Sequence, residues 1–216
     1  MSYNFPEGSR FLFSNTFAAA KTLAAMSNAN PSVATSVAHG YVDNDELLLT
    51  SGWEDATDTV FKADQLTADT FSLLGLDTAN TSFYSAGGGA NSSAQKISNW
   101  LEIPQVLSIA TSGGDPRFTT ISPLARRNQI NVPTGFNATS ITLTLGHDAA
   151  NANYQTMLGI SRALQKVAFK MILSGGATTY GFGYLAVSEV PALNVNQANT
   201  VQASFTLLGR AISYAT

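Results

Sequence analysis

Few residues in this 216-residue chain are suited to catalysis, and those few are not arranged for it. The absence of cysteine excludes thiol nucleophiles, disulfides and thiolate metal sites. The histidines are His39, which stands beside Gly40 in a turn-like stretch, and His147. Because His147 and Asp148 are neighbours in sequence, they do not form an oriented catalytic pair. No G-x-S-x-G stretch supplies an activated serine, so the sequence predicts that the protein is not an enzyme.

Three short stretches could bind a ligand, and none has the required spacing. The acidic cluster around Asp43, Asp45 and Glu46 does not follow the twelve-residue calcium loop and is better interpreted as a solvated turn. The glycines 87–89 lack the Lys-Ser/Thr pair of a phosphate loop. The pair 126–127, Arg-Arg, is too small for a nucleic-acid footprint at a net charge of −3. We therefore expect no metal and no cofactor.

Two tryptophans leave a second function class open. Trp53 and Trp100 could each stack on a sugar ring, as in a carbohydrate-binding β-sandwich. Tryptophans near strand ends also close hydrophobic cores, and the sequence does not separate these roles.

The charge of the chain is low and unevenly distributed. Charged residues make up 12% of the chain, about half the usual share. This composition fits a surface that faces other copies of the chain, and it also fits a polar Ser/Thr/Asn surface. Residues 1–77 contain ten acids and three bases, a net of −7, and residues 78–216 contain four acids and eight bases, a net of +4. Such halves could dock head to tail on one another, or form two solvated faces of one domain.

The elements that position these residues are mostly strands. The stretch Asp69–Gly89 begins as an alternating strand and continues into a small-residue loop, which predicts a rigid platform that presents a mobile segment. Ala138–Gly146 alternates Ile141, Leu143 and Leu145 with threonines. Only residues 150–165 have helical spacing. The fold class is therefore mainly β, an antiparallel sandwich or barrel with one flanking helix.

The domain organisation follows from the absence of repeats and linkers. We expect an N-terminal arm at 1–16 and a single β domain at 17–216. The arm carries apolar anchors, Phe5, Phe11 and Phe13, in an otherwise polar segment, so it is tied down on its own domain or on a neighbour. The beginning of the sequence has no signal-peptide pattern, and no stretch has the apolar length of a membrane span.

Three blocks of sequence resemble the major tail tube proteins of long, non-contractile-tailed bacteriophages. The first is Phe71–Thr78, FSLLGLDT, a strand followed by a G-x-D-T turn. The second is Trp100–Pro133, with the turn SGGD at 112–115 between two strands. The third begins with the helix that contains Tyr154 and continues through the Phe169 hairpin, VSEVP at 187–191 and NVN at 194–196. The resemblance depends on the order and spacing of the blocks and starts near Gly40.

The resemblance implies a fold, an assembly and a role. The fold is a tail-tube-like β-sandwich or barrel with one helix. The assembly is a hexameric ring that stacks into a tube in the virion tail, put together in the host cytoplasm. The tube conducts DNA non-specifically and meets tape measure, tail terminator and distal tail proteins, with no membrane partner. Alternatives are another structural virion protein, such as a capsid decoration protein, or the carbohydrate-binding module.

Subunit contacts are expected where the charges, the arm and the loops lie. A polyanion must pass through the tube, so we expect a lumen that repels DNA. We also expect the acidic segment 43–69 to contact the basic half of a neighbouring copy, with residues 54–55 facing residues 126–127. The candidate interface residues are Phe5, Phe11, Phe13, Asp43, Asp45, Glu54, Asp55, Asp77, Thr78, Gly87, Gly88, Gly89, Arg126 and Arg127.

Overall fold

The computed structural model describes residues 7–215, which form two eight-stranded antiparallel sheets, a separate hairpin and one α-helix. The first sheet contains β1 (Arg10–Ser14), β10 (Leu101–Glu102), β11 (Val106–Ser112), β14 (Ser140–Gly146), β15 (Lys166–Ile172), β16 (Thr178–Val187), β17 (Thr200–Leu207) and β18 (Ile212–Tyr214). The second contains β2 (Thr16–Phe17), β3 (Lys21–Leu23), β4 (Ala25–Met26), β5 (Ser32–Thr35), β6 (Glu46–Thr50), β7 (Thr59–Gln65), β8 (Thr70–Leu74) and β9 (Ser92–Ser98). The hairpin pairs β12 (Pro116–Ile121) with β13 (Ile130–Phe136), and the helix is α1 (Ala152–Arg162).

The second sheet curls into a small, nearly closed barrel. Its order is β2-β9-β6-β7-β8-β5-β4, with β3 also paired to β9. Ala24 alone separates β3 from β4, and its N–H donates to the Thr35 carbonyl at 2.8 Å, so the two ends of the sheet are joined through one residue. Leu47 and Leu49 point into the barrel and are fully buried. Alternation turns Leu48 outward, towards the first sheet.

The first sheet is covered on one face by the helix. Its order is β10-β1-β15-β16-β17-β14-β11, with β18 paired to β16. The expected alternation in β14 places Ile141, Leu143 and Leu145 in a core that also contains Met157 of α1. Asn151 caps the helix, because its side-chain oxygen accepts the N–H groups of residues 153 and 154. The predicted antiparallel β fold with one flanking helix is confirmed.

A partly buried polar joint connects the two sheets. Its centre is the Glu46 carboxylate of β6, which accepts Lys170 Nζ and the Tyr180 hydroxyl, both at 2.6 Å, from β15 and β16. Trp100 Nε1 donates to the same carboxylate. Burial raises the pKa of Tyr180 far above its usual range, and the hydrogen bond to Glu46 raises it further. Glu46, expected in a solvated turn, therefore fixes the barrel to the first sheet.

The N-terminal segment differs from the expected arm. Arg10–Ser14 is β1, an inner strand of the first sheet that pairs with β10 and β15. Phe13 is fully buried and Phe11 is buried in the core of the same chain, so both are core residues and not anchors on a neighbour. The cause is the apolar run Phe11–Phe13, which places apolar side chains on both faces of the strand. Phe5 lies outside the described residues.

Candidate functional site

The histidines and acids do not assemble into a catalytic or metal site. His39 is buried, accepts the Tyr41 N–H at 2.9 Å through Nδ1, and has its other ring nitrogen 3.1 Å from the Thr67 carbonyl. His147 packs edge-on against the Tyr154 ring. Among residues 7–215 no group of three His, Cys, Asp or Glu side chains could hold a metal ion. No helix in the same range is long and apolar enough to cross a membrane.

Neither tryptophan offers a free ring face to a sugar. Trp53 is 5% exposed and donates its indole N–H to the Ser85 carbonyl at 2.9 Å. Trp100 is partly buried at the joint, and the Lys170 ammonium lies 5.4 Å from its ring centre. Both tryptophans close cores, so neither of them provides the aromatic platform that a carbohydrate-binding module needs.

The glycine loop is packed rather than mobile. Gly89 is buried beneath the Trp53 ring, and a Cβ there would lie 2.7 Å from two ring atoms. A Cβ on Gly88 would lie 2.7 Å from the indole nitrogen. Gly87 is exposed and has a φ of +75°, which favours glycine. The glycines serve close approach to Trp53, so the expectation of a mobile segment is wrong for Gly88 and Gly89.

Several of the candidate interface residues are occupied within their own chain. Asp45 is buried and pairs with Lys96 at 2.6 Å, and Asp43 accepts the Gln65 N–H at 2.8 Å. Thr78 is fully buried, and its hydroxyl donates to the Ser27 carbonyl at 2.8 Å. These side chains shape the barrel and its loops. Asp45 and Thr78 are closed to a neighbouring copy, whereas the acidic candidates Asp43, Glu54, Asp55 and Asp77 are exposed.

Three of these acids, Glu54, Asp55 and Asp77, line one open cleft of about 1220 Å³. Asp55 receives the Tyr84 hydroxyl at 3.0 Å and lies 3.5 Å from the Arg210 guanidinium. Burial raises the pKa of Tyr84, and the hydrogen bond to Asp55 raises it further. Asp77 accepts the Asn30 side-chain amide at 2.9 Å. Glu54 is exposed, and its carboxylate takes part in none of the hydrogen bonds or ion pairs seen among residues 7–215.

Arg126 and Arg127 lie at the end of the β12–β13 hairpin. Both are exposed, and within the described part of the chain neither guanidinium forms an ion pair. The strand β13 runs from Ile130 to Phe136 and includes Pro133. Proline is tolerated there because the hairpin pairs on one side only. The arginines are therefore held at the tip of a long projection.

A second exposed surface was indicated in the sequence only by the threonines of β14. The sheet register aligns side chains from β11, β14, β17 and β16 in three rows on the face opposite the helix core. The rows are Ser108–Thr144–Gln202, Ala110–Thr142–Ser204–Ala186 and Ser112–Ser140–Thr206–Tyr184. None of these residues is charged. The third row continues to Lys166 of β15, whose ammonium is 3.6 Å from Asp58. We call this surface the hydroxyl face.

The sequence of residues 51–216 matches the family described as phage tail tube protein, TTP, which covers more than half of the chain. The chain belongs to this family. The tail tube protein therefore has a structural role in a phage tail, and the resemblance of its sequence blocks is confirmed. The matched region starts within the barrel and contains β7 to β18, α1, the cleft and the β12–β13 hairpin.

Two solved structures are similar to this tail tube protein. The SPP1 tail tube, a hybrid structure by solid-state NMR and cryo-EM, has a TM-score of 0.42 at 13% identity, over 55% of this chain and 69% of that chain. The anti-feeding prophage cap, a tube terminating cap, has a TM-score of 0.35 at 18% identity, over 53% of this chain and 83% of that chain. No curated protein sequence matches the chain.

Proposed function

We propose that this tail tube protein forms hexameric rings that stack into the tube of the phage tail and that DNA passes through it. Assembly takes place in the host cytoplasm, and the ends and interior of the tube meet tail terminator, distal tail and tape measure proteins. The protein does no catalysis in this role. Family membership supports the tube, and one structural observation supports the ring.

That observation is the free edge of β11. This strand pairs with β14 on one side, and its seven residues, VLSIATS, carry no charge. Leu107 is 60% exposed and Ile109 is 39% exposed. A long, uncharged, apolar edge is a template for pairing with another chain, and monomeric proteins usually protect such edges with lysine or proline. Pairing of this edge with a neighbouring copy would continue the first sheet around a ring.

The hydroxyl face suits the inner wall of such a ring. DNA is retained on a surface mainly through contacts of Lys and Arg with phosphate, and each such contact makes binding salt-dependent. The residues of the three rows are uncharged, and the ammonium of Lys166, at the end of the third row, lies 3.6 Å from the Asp58 carboxylate. In this arrangement the wall is neutral rather than acidic, and DNA passes because no cation of the wall binds its phosphates.

Electron microscopy of the concentrated, purified protein tests the assembly. We expect rings with six-fold symmetry and stacked tubes, and we expect the same chain in the tails of phage particles. A protein that stays monomeric at every concentration and is absent from tails would overturn the proposal. For the edge, L107K with I109K is expected to suppress ring formation, whereas V37K, at an aliphatic residue 80% exposed, leaves it intact.

DNA binding by assembled tubes tests the wall. Wild-type tubes are expected not to retain duplex DNA at physiological salt. T142K places a cation in the middle row of the hydroxyl face and is expected to create salt-dependent retention. Tight binding by wild-type tubes, or no response to T142K, would show that this face does not line the lumen.

A further inference from the structure

The β12–β13 hairpin has the composition of an interface, and neither sheet formed by residues 7–215 pairs with it. Its two strands pair only with each other. Phe118 is 57% exposed and Phe136 is 74% exposed, and Ile121 and Val132 are exposed as well. A two-stranded hairpin alone in water is at best marginally stable and needs a surface to pack on. No described strand pairs with the hairpin, which favours a packing surface on another molecule.

The tip of the hairpin is both apolar and cationic. Leu124 is fully exposed, and Arg126 and Arg127 follow it within the same turn. The tip from residue 122 to residue 129 contains no acid, so it carries a net charge of +2. Such a tip requires a partner site with an apolar floor and about two negative charges.

The cleft described above has that complementary chemistry. Three carboxylates, Glu54, Asp55 and Asp77, against the Arg210 guanidinium give a net charge of −2. Phe83, which is 63% exposed, contributes an apolar surface to the same cleft. Because Glu54 has no ion pair among the described residues, at least one carboxylate is available to an incoming cation.

The tip of a hairpin cannot reach the cleft of its own chain. Gly114, Gly135 and Phe136, at the base of the hairpin, form part of the wall of that cleft. From this base, β12 extends for six residues, or roughly 20 Å at about 3.3 Å per residue. Paired strands do not fold back on themselves, so the tip lies about that far from its own cleft. The occupant must be the tip of another copy.

We propose that the hairpin tip of one copy docks in the acidic cleft of the next, with Leu124 on the apolar surface and Arg126 and Arg127 at the carboxylates. The inference builds on the proposed tube and names a contact that joins its subunits. Tip and cleft are different parts of the chain, so the contact is heterologous and each copy both gives and receives. This localises the charge pairing expected between residues 54–55 and 126–127.

Cysteine cross-linking tests the contact directly, because the chain contains no cysteine of its own. A125C adds a thiol at the tip beside Leu124, and A79C adds one at the cleft; both replace exposed alanines. Mixed in equal amounts and oxidised under assembly conditions, the two variants are expected to give mixed dimers at least tenfold above the A125C self-dimer. The control A163C, at an exposed alanine beyond α1, is expected not to cross-link to A125C.

The outcomes separate this contact from the proposed tube. Tubes that form without the 125–79 cross-link would overturn the contact and leave the tube standing. Dominant A125C self-dimers would show a symmetric tip-to-tip contact, and capture of A125C by a different tail protein in phage particles would show another occupant; both overturn the inference. Failure of wild-type protein to form tubes at any concentration overturns the proposed function and this contact together.

Charge complementation gives an independent test. R126E with R127E changes the tip from +2 to −2, and E54K with D55N changes the cleft from −2 to +1, while the amide oxygen introduced by D55N can still accept the Tyr84 hydroxyl. Each variant alone is expected to need about tenfold more protein to polymerise, equivalent to roughly 1.4 kcal/mol per contact. When the two variants alternate along a polymer, every contact pairs opposite charges, and polymerisation is expected to recover. K21E, at an exposed cation distant from both parts in sequence, is the control. A mixture that polymerises no better than its components excludes the contact.

Discussion

The hairpin β15–β16 lies in the middle of the first sheet, whereas the hairpin β12–β13 stands outside both sheets. Both are antiparallel pairs, although the register of β12–β13 shifts between Arg117 and Phe118. In the first, Phe169 packs under the helix core and Tyr180 packs against the barrel. In the second, Phe118 and Phe136 are exposed. Backbone pairing is common to both, so the difference in their surroundings separates residues that hold the subunit together from residues left for contacts between subunits.

The largest expected effect compares one phenylalanine from each hairpin. Phe169→Ala removes a fully buried ring from the core and should lower the free energy of unfolding by about 3–5 kcal/mol. Phe118→Ala removes an exposed ring and should change it by less than about 0.5 kcal/mol. Urea unfolding of the unassembled protein measures both. Equal losses would mean that the exposed hairpin is packed on its own subunit.

The polar joint between the two sheets sharpens the comparison of the two hairpins, because β15 and β16 supply two of the residues in the joint. Glu46→Ala leaves the Lys170 ammonium and the Tyr180 hydroxyl without their acceptor and should cost about 3 kcal/mol. Thermal and urea unfolding would both show the loss. Glu102→Ala is the control: it breaks an exposed ion pair with Arg10 and should cost no more than about 1 kcal/mol. A Glu46 variant as stable as the Glu102 variant would argue against the joint.

The close approach of β16, in the packed hairpin, to the backbone of β17 can be disrupted by a single methyl group. A Cβ on Gly183 of β16 would overlap the Thr206 carbonyl oxygen of β17. Gly183→Ala should therefore cost about 1–3 kcal/mol through displaced backbone. Gly159→Ala is the matched change in open space, since nothing lies within 4 Å of its Cβ, and should stabilise α1 by about 0.5–1 kcal/mol. Opposite shifts in melting temperature are expected, and two shifts of the same sign would refute the argument.

The smallest expected effect concerns α1, the helix that covers β16. In the described structure no helix covers the exposed hairpin β12–β13. Asn151→Ala removes the acceptor for two N–H groups at the start of α1 and should cost about 1 kcal/mol. Asn151→Ser keeps an acceptor and should retain most of the stability. Hydrogen exchange of the first helical turn, compared between the two variants, measures the effect. Identical exchange in both would show that the cap contributes nothing.

Local sequence patterns were sufficient to predict the strand β14 and the helix α1. Alternation at 138–146 predicted β14 and its buried face, and helical spacing at 150–165 predicted α1. The family blocks predicted the tail tube role. For β14 and α1 the information lies within one short, continuous stretch of sequence, whereas the family resemblance depends on the order and spacing of three blocks.

Features that depend on distant segments were not predictable. Glu46 looks like part of an acidic turn until β15, β16 and residue 100 are folded around it. The glycines at 88 and 89 look flexible until the Trp53 ring is placed on them. Phe11 and Phe13 look like arm anchors because their strand partner, β15, begins at residue 166. The cleft is equally non-local, since its wall joins residues near 54, 77, 114, 136 and 210.

The separation of hairpin tip and cleft gives each subunit a direction. A chain of copies linked tip to cleft has unfilled clefts at one extremity and free tips at the other, however many copies it contains. The two extremities differ in charge as well as in shape, because one presents −2 and the other +2 for each exposed subunit. An acidic plug would therefore stop growth at the end with free tips, and an arginine-bearing plug would stop it at the other. Under the proposed contact, one hairpin and one cleft would encode the polarity of the assembly and the choice of which protein closes which end.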